Sequence, residues 1–405
     1  MHKTYVDEVA KNLYVLRIDD NEVKYFEALW YIPEGVTYNS YVLLTEEGAV
    51  VFDSWKHIYA DLYIETLKRI IDLRDIKYVI IHHTEPDHSG SIPKLLEATS
   101  HRPIVIGHPI AKSIFTAFYG VEPKFKTISD LETLQIGSEK IRFIHIPWLH
   151  WPDTVATYLE NKEILLTCDV FGGYSTPPSL YDDDDEIVNY YLPYARKYLV
   201  SIIGFYRDHI IKNINKLRSL GIKPRIIAPA HGIIWRRRPE IIIDYYYRIA
   251  SAEPDLRKII IVYSTMYGFM QKVINVIAED LRSRGYETKI YSFNDREYPS
   301  TADILSDAID SSIIILGLST YDGKIFPPME YVIKLLIDKI NSEKPVIIVN
   351  TYGWGRLHEN TLRALLSNSK FKLVDVISIR GAYTKADIDR LRQSIEKVII
   401  DLMKK

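Results

Sequence analysis

Apolar and polar positions along the chain follow two different rhythms. Up to about Glu253, short β-branched runs dominate: Asn39–Leu44, Ala49–Asp53, Tyr78–His82, Ile104–Gly107, Ile141–Ile146, Thr157–Glu160 and Ile164–Cys168. Each is of strand length and is bounded by Gly, Pro, Asp or Asn, which predicts strands. Between them, Ile58–Leu73 and Pro109–Phe118 carry apolar residues at helical spacing, and Glu186–Leu220 reads as a longer helical stretch broken at Pro193 and Gly204. Strands with helices outside them predict a layered αββα arrangement.

From about Arg257 the rhythm becomes regular. Strands are predicted at Lys258–Tyr263, Glu287–Ser292, Ser312–Leu316, Pro345–Asn350 and Lys372–Ser378. Helices are predicted at Gln271–Arg284, Thr301–Ile309, Met329–Asn341, Leu357–Leu366 and Lys385–Lys404. Five strands alternating with helices predict a doubly wound parallel sheet of flavodoxin-like size. Glu253-Pro254-Asp255 is the natural linker, so the expected domains are 1–253 and 257–405.

Composition narrows the function. A chain of 405 residues, 47% hydrophobic and 26% charged, is long enough for two sizeable cores. Its 51 Lys+Arg against 53 Asp+Glu give a net charge of -2, without the clustered basic excess that nucleic acid or a membrane surface demands. The single cysteine, Cys168, excludes an intramolecular disulfide, a Cys-ligated iron–sulfur cluster and a built-in rubredoxin site. That usage fits a reducing compartment, and a cytoplasmic location is expected. Met1–Tyr14 has no continuous apolar core of a signal peptide, and runs such as Ile259–Tyr263 and Ile313–Leu316 fall far short of a membrane span.

The candidate chemistry begins where strand Tyr78–His82 ends. His83-Thr84-Glu85-Pro86-Asp87-His88 offers four metal-ligating groups within six positions at one strand end, where they can converge. His150, Asp169 and His231 each follow an apolar strand-like segment as well, the rim on which ligands gather in α/β folds. Four imidazoles and three carboxylates suffice for two metals. The spacing is that of the metallo-β-lactamase fold, His-x-His-x-Asp-His, with Glu85 at the middle histidine. A carboxylate there makes the site harder and more anionic, favouring iron over zinc.

With these residues the chain resembles the flavodiiron (A-type flavoprotein) family. The resemblance spans essentially the whole chain and includes Thr37-Tyr38-Asn39-Ser40-Tyr41, His150-Trp151-Pro152-Asp153 and Ala230-His231-Gly232. It implies an N-terminal metallo-β-lactamase-like αββα domain and a C-terminal flavodoxin-like domain. It also implies that His83, Glu85 and His150 hold one iron and that Asp87, His88 and His231 hold the other. Asp169 would bridge the two. His88 is the ligand on which family members differ, and His82 matches no ligand position.

The second domain lacks G-x-G-x-x-G, which leaves a dinucleotide site without support. Strand Lys258–Tyr263 instead runs into Ser264-Thr265-Met266-Tyr267-Gly268 before a helix, a natural phosphate site of backbone N–H groups and helix dipole. The loop resembles the FMN phosphate loop of flavodoxins, with Phe269, Met270 and Gln271 in place of further hydroxyl side chains. Ser319-Thr320-Tyr321-Asp322-Gly323 and Thr351-Tyr352-Gly353-Trp354-Gly355 follow the third and fourth strands on the same rim. Tyr321 and Trp354 could stack on a flavin ring, and Gly353 and Gly355 would admit it to the backbone.

The expected function is therefore an oxidoreductase that passes electrons from FMN to a di-iron centre and reduces O2 to water, NO to N2O, or both. The resemblance implies a head-to-tail homodimer or homotetramer and an external donor, either rubredoxin or reduced deazaflavin F420. A di-zinc hydrolase fused to a flavodoxin-like domain is the rival, and an electron carrier with a vestigial metal domain is a third reading. The acidic run Asp182–Glu186 and Arg236-Arg237-Arg238 read as solvated surface, and Trp30, Tyr38 and Trp148 as packing or pocket lining.

Overall fold

The structure is a computed structural model that describes residues 2–404; Met1 and Lys405, the outermost positions of the two expected domains, lie outside it. The chain divides into two compact units that part between Ala250 and Ser251.

The first unit holds two sheets. Seven strands run Lys3–Ala10, Leu13–Asp20, Val36–Thr45, Gly48–Phe52, Ile76–Ile80, Ile104–Gly107 and Phe125–Thr127, antiparallel at the first edge and parallel at the other. Five more run Thr133–Ile136, Glu139–His145, Val155–Leu159, Ile164–Cys168 and Ile226–Pro229. Because side chains alternate across a strand, each sheet turns one apolar face inward. Val15, Leu43, Val50, Phe52 and Ile80 of the first sheet and Ile141, Phe143, Leu159 and Leu166 of the second fill one buried cluster between them. The αββα layering is thus present, with helices such as Ala60–Leu67 and Ala111–Tyr119 between strands in the chain.

Two details depart from the pattern reading. The helix beginning at Asp185 runs through Pro193 to Tyr198, widens into a π segment at Leu199–Ile203, and resumes as Arg207–Ser219. Pro193 and Asn189, whose carbonyl loses its partner, both lie on the exposed face, where water can serve that carbonyl. The acidic run is not uniformly solvated. Asp182 is fully buried and accepts hydrogen bonds from the backbone N–H groups of Arg236, Arg237 and Arg238 at 2.7, 2.9 and 2.9 Å. Asp184 caps the helix by accepting from Ile187 N, and Asp183 and Asp185 pair with the Arg236 and Arg237 side chains.

The second unit is a parallel sheet in the order Glu287–Phe293, Asp255–Ser264, Ser311–Tyr321, Lys344–Tyr352, Phe371–Arg380. That is the 2-1-3-4-5 order of a flavodoxin-like doubly wound fold. Its strands are apolar on both faces; Ile259, Ile261, Ile313, Ile315 and Ile347 pack against Val273, Ile277, Leu391 and Ile395 of helices Phe269–Ser283 and Lys385–Met403. Among the described residues no helix is long and apolar enough to cross a membrane.

Candidate metal centre and ligand cavity

Four strand ends deliver the candidate ligands to one place. His83, Glu85, Asp87 and His88 follow strand Ile76–Ile80, His150 follows Glu139–His145, Asp169 directly follows Ile164–Cys168, and His231 follows Ile226–Pro229. All seven predicted residues meet there in two groups, His83/Glu85/His150/Asp169 and Asp87/His88/His231.

Asp169 stands between the groups. Its Oδ2 lies 3.3 Å from His83 Nε2 and 3.4 Å from His150 Nε2, and its Oδ1 lies 3.0 Å from His88 Nε2 and 3.2 Å from His231 Nε2. Glu85 Oε2 is 2.7 Å from His150 Nε2 and 3.2 Å from His83 Nε2. Asp87 offers one oxygen to His88 at 3.4 Å and the other to His231 at 3.5 Å. Every imidazole therefore turns Nε2 inward. Both Asp87 oxygens, Asp169 Oδ2 and His231 Nε2 are buried without a well-directed hydrogen-bond partner. Buried oxygens left unpaired in this way are costly unless cations lie among them, so the donor set fits metal ions.

The electrostatics point the same way. Burial alone would lower the histidines, but Asp169 and Glu85 outweigh it at His83, and Asp87 and Asp169 at His88, holding each up to about 9. Glu85 likewise outweighs burial at His150, also raised to about 9. Burial would raise Glu85 and Asp169, yet the surrounding imidazoles keep both below the usual carboxylate range.

A supporting shell fixes these rings. Thr37 O accepts from His231 Nδ1 at 2.7 Å, and Asn39 Nδ2 donates to Pro229 O and Gly232 O. Asp153 accepts from Thr84 N and Oγ1, pinning the ligand loop. His82, no member of either group, lies 2.6 Å from Asp53 through its Nδ1. Tyr38 stands 5.6 Å from the His231 ring, Trp30 is buried, and Trp148 is partly exposed and stacks on Tyr206.

Two neighbours carry no signal in the sequence. Tyr198 donates to Asp169 Oδ1 at 2.8 Å. Glu27 sits at the tip of the hairpin Tyr25–Phe26/Trp30–Tyr31 with φ of 50°. The residue is exposed as a whole, but burial of its carboxyl group, then the charge of Glu85, pushes its pKa up to about 7.

In the second unit a cavity of about 450 Å³ opens at the carboxyl ends of the strands. Thr265, Met266 and Tyr267 line it with Ser319 to Gly323, Thr351 to Gly355 and, unforeseen, Gly381. Gly268 lines an adjoining cavity with Asn294 and Arg296. Ser264 lines neither: its Oγ accepts from Ser319 N, and its carbonyl accepts from Ser319 Oγ at 2.7 Å, tying two strand ends together. Gly268 N donates to Thr265 Oγ1 at 3.0 Å as helix Phe269–Ser283 starts. Trp354 and Tyr267 are 83% and 85% exposed, and nothing lies within 4 Å of where a Cβ on Gly323 or Gly353 would stand. Open apolar faces over a backbone floor and a helix N-terminus fit a planar ring with a phosphate.

Comparison with known proteins agrees with this geometry. Residues 36–232 match the family model "ODP family beta lactamase". A flavo di-iron protein of Thermotoga maritima is 37% identical over 98% of this chain and 100% of its own, with a TM-score of 0.93. A nitric oxide reductase of Moorella thermoacetica is 26% identical, covering 90% of each chain. A rubredoxin-oxygen oxidoreductase of Megalodesulfovibrio gigas is also 26% identical over 90% of each.

Proposed function

The chain belongs to the flavodiiron protein family, and from that membership we propose an oxidoreductase that reduces dioxygen or nitric oxide at a di-iron centre fed by FMN. Residues 1–253 would carry the irons and 257–405 the flavin. The observation that carries the reading is Asp169, which offers one carboxylate oxygen to each of two histidine–carboxylate groups.

In this reading His83, Glu85 and His150 would hold one iron and Asp87, His88 and His231 the second, with Asp169 available to both. Reduced flavin and paired ferrous ions supply electrons and a place for a diatomic gas to bind. The chain's own residues supply the rest. Glu85 in place of a histidine biases the site towards iron. Tyr198 holds Asp169 from outside, and Thr37 O fixes the His231 ring so that Nε2 stays directed inward. Thr265, Met266 and Tyr267 would take the FMN phosphate, while Tyr321, Trp354 and the glycines Gly353 and Gly355 would receive its ring.

The donor is proposed to be a separate rubredoxin or reduced deazaflavin F420, and the assembly a cytoplasmic homodimer or homotetramer, head to tail. Separate titration of FMN reduction with each donor distinguishes the two. A di-zinc hydrolase is the reading to defeat. Iron and zinc analysis of the purified protein, with O2 and NO uptake by its reduced form, tests the proposal: two irons per chain and gas uptake are expected, and zinc without uptake would sink it.

A further inference from the structure

Behind the candidate metal centre lies a buried trio, Asp53, His82 and Cys168, that the proposed chemistry does not use. We infer that Cys168 is a positioning residue for His83: its sulfur accepts the ring's outer N–H and keeps the charge of Asp53 off the imidazole. The inference rests on the reading that His83 binds iron through Nε2.

The two nitrogens of His83 face different surroundings. Nε2 looks into the cluster of Glu85 and Asp169, and Nδ1 lies 3.2 Å from Cys168 Sγ. With Nε2 given to a metal, the proton resides on Nδ1 and is donated to sulfur. Cys168 Sγ thus meets His83 at the nitrogen opposite the one turned to Glu85 and Asp169, and it lies within 4.8 Å of a His88 nitrogen as well.

The common outer partner of a metal-binding histidine is a carboxylate or a carbonyl. His231 follows that rule with Thr37 O. His83 does not, although a carboxylate is close by. Asp53 is committed to His82 instead: Oδ1 accepts from His82 N at 2.9 Å, and Oδ2 meets His82 Nδ1 at 2.6 Å. The far nitrogen of His82 is occupied by Thr157 Oγ1 at 2.9 Å. A carboxylate oxygen of Asp53 lies within 4.8 Å of Cys168 Sγ. The order is therefore His83, Cys168, Asp53, His82, Thr157, with sulfur as the spacer.

Backbone strain marks the same spot. Asp53 has φ of 54° and Cys168 has φ of 53°, a left-handed conformation at two residues that are not glycine. One follows strand Gly48–Phe52 and the other ends strand Ile164–Cys168, so two different sheets each bend to set these side chains together. Sulfur is a weak acceptor. It fixes the ring while passing on little negative charge, whereas a stronger acceptor makes an imidazole a better donor to its metal and favours the ferric state. Cys168 thus holds the potential of the iron on His83 above the value a hydroxyl or carboxylate partner would give.

The test uses full-length, FMN-loaded protein with Cys168→Ser and Cys168→Ala, measuring iron per chain, iron affinity and the di-iron midpoint potentials. Cys168→Ser is expected to keep two irons and to lower the potential of one of them, leaving the other in place. Cys168→Ala, with no acceptor, is expected to weaken iron binding at one site by about 10–100-fold. Wild-type potentials and affinities in both variants overturn the inference. A third metal ion per chain that disappears in the variants also overturns it, because the trio would then be a metal site itself. A wild type that holds fewer than two irons overturns the underlying metal reading as well. Should neither variant fold, histidine nitrogen NMR of the zinc-loaded wild type decides: His83 protonated at Nδ1 supports the inference, and zinc bound at Nδ1 overturns it.

Discussion

Tyr198 donates a hydrogen bond to Asp169 Oδ1 at 2.8 Å from the last turn of helix Asp185–Tyr198, and both residues are fully buried. A phenol at that point steadies the carboxylate that stands between the two ligand groups. A buried hydrogen bond to a charged group contributes about 1.5–3 kcal/mol. Tyr198→Phe should lower the stability of metal-free protein by about that amount, as read from denaturant unfolding.

The metal-free cluster should make stability depend on pH in a definite direction. Burial lowers the histidines, the carboxylates outweigh it, and His83, His88 and His150 stand at about 9, above the ordinary 6.5. A group raised on folding contributes fully below its unfolded pKa, so this stabilisation is complete below about pH 6.5 and is lost as pH rises through about 9. Glu85 and Asp169 are held low, and their contribution is lost as the solution is acidified. Metal-free protein should therefore lose stability on the alkaline side, and iron-loaded protein should not, because metal replaces the protons. Unfolding curves across pH 5–10, with and without iron, check this.

Gly232 follows His231 with φ of 77°, and a Cβ there would collide with the buried Tyr191 ring. Gly232→Ala combines a left-handed strain with overpacking and should cost about 2–5 kcal/mol. Thermal unfolding measures it, and iron retention should fall with it, since His231 is the adjoining residue.

Glu85→His recreates the ligand pattern of zinc hydrolases. Replacing a hard carboxylate by imidazole should shift the metal content of protein grown with both metals from iron towards zinc. Elemental analysis of the two proteins purified side by side gives the answer.

Gly353→Val places a branched side chain where no atom lies within 4 Å, inside the second-unit cavity. Flavin-free stability should change little, whereas FMN affinity should fall by about tenfold or more, a loss of at least about 1.4 kcal/mol. Equilibrium flavin binding by fluorescence quenching tests it.

What the sequence disclosed follows from how each feature is written in it. The candidate ligands between His83 and His88 fall within six positions, and His150, Asp169 and His231 each follow an apolar strand, so local pattern was enough to single out the cluster the fold brings together. The five-strand rhythm after Arg257 was equally plain, because buried parallel strands are continuous apolar runs. Tyr198 was illegible: its reach to Asp169 depends on how a helix packs, and a tyrosine on an apolar face reads as core. Asp182 was misread as solvated because its partners, the N–H groups of Arg236 to Arg238, lie more than fifty residues away. Ser264 was read as facing a phosphate because its loop suits one, but register sets its hydroxyl against Ser319 of the neighbouring strand. Strand Lys3–Ala10 went unread because its polar and apolar residues come in pairs, as in Asp7-Glu8 beside Val9-Ala10, and lack the single alternation of a half-buried strand.

Electron flow from flavin through iron to gas is tested by rapid mixing of anaerobically reduced, iron-loaded protein with O2 and, separately, with NO, following flavin reoxidation and gas loss together. Both signals should move together only when iron is present, with water from O2 or N2O from NO as product. Flavin reoxidation at the same rate in iron-free protein, or no loss of either gas, would contradict it.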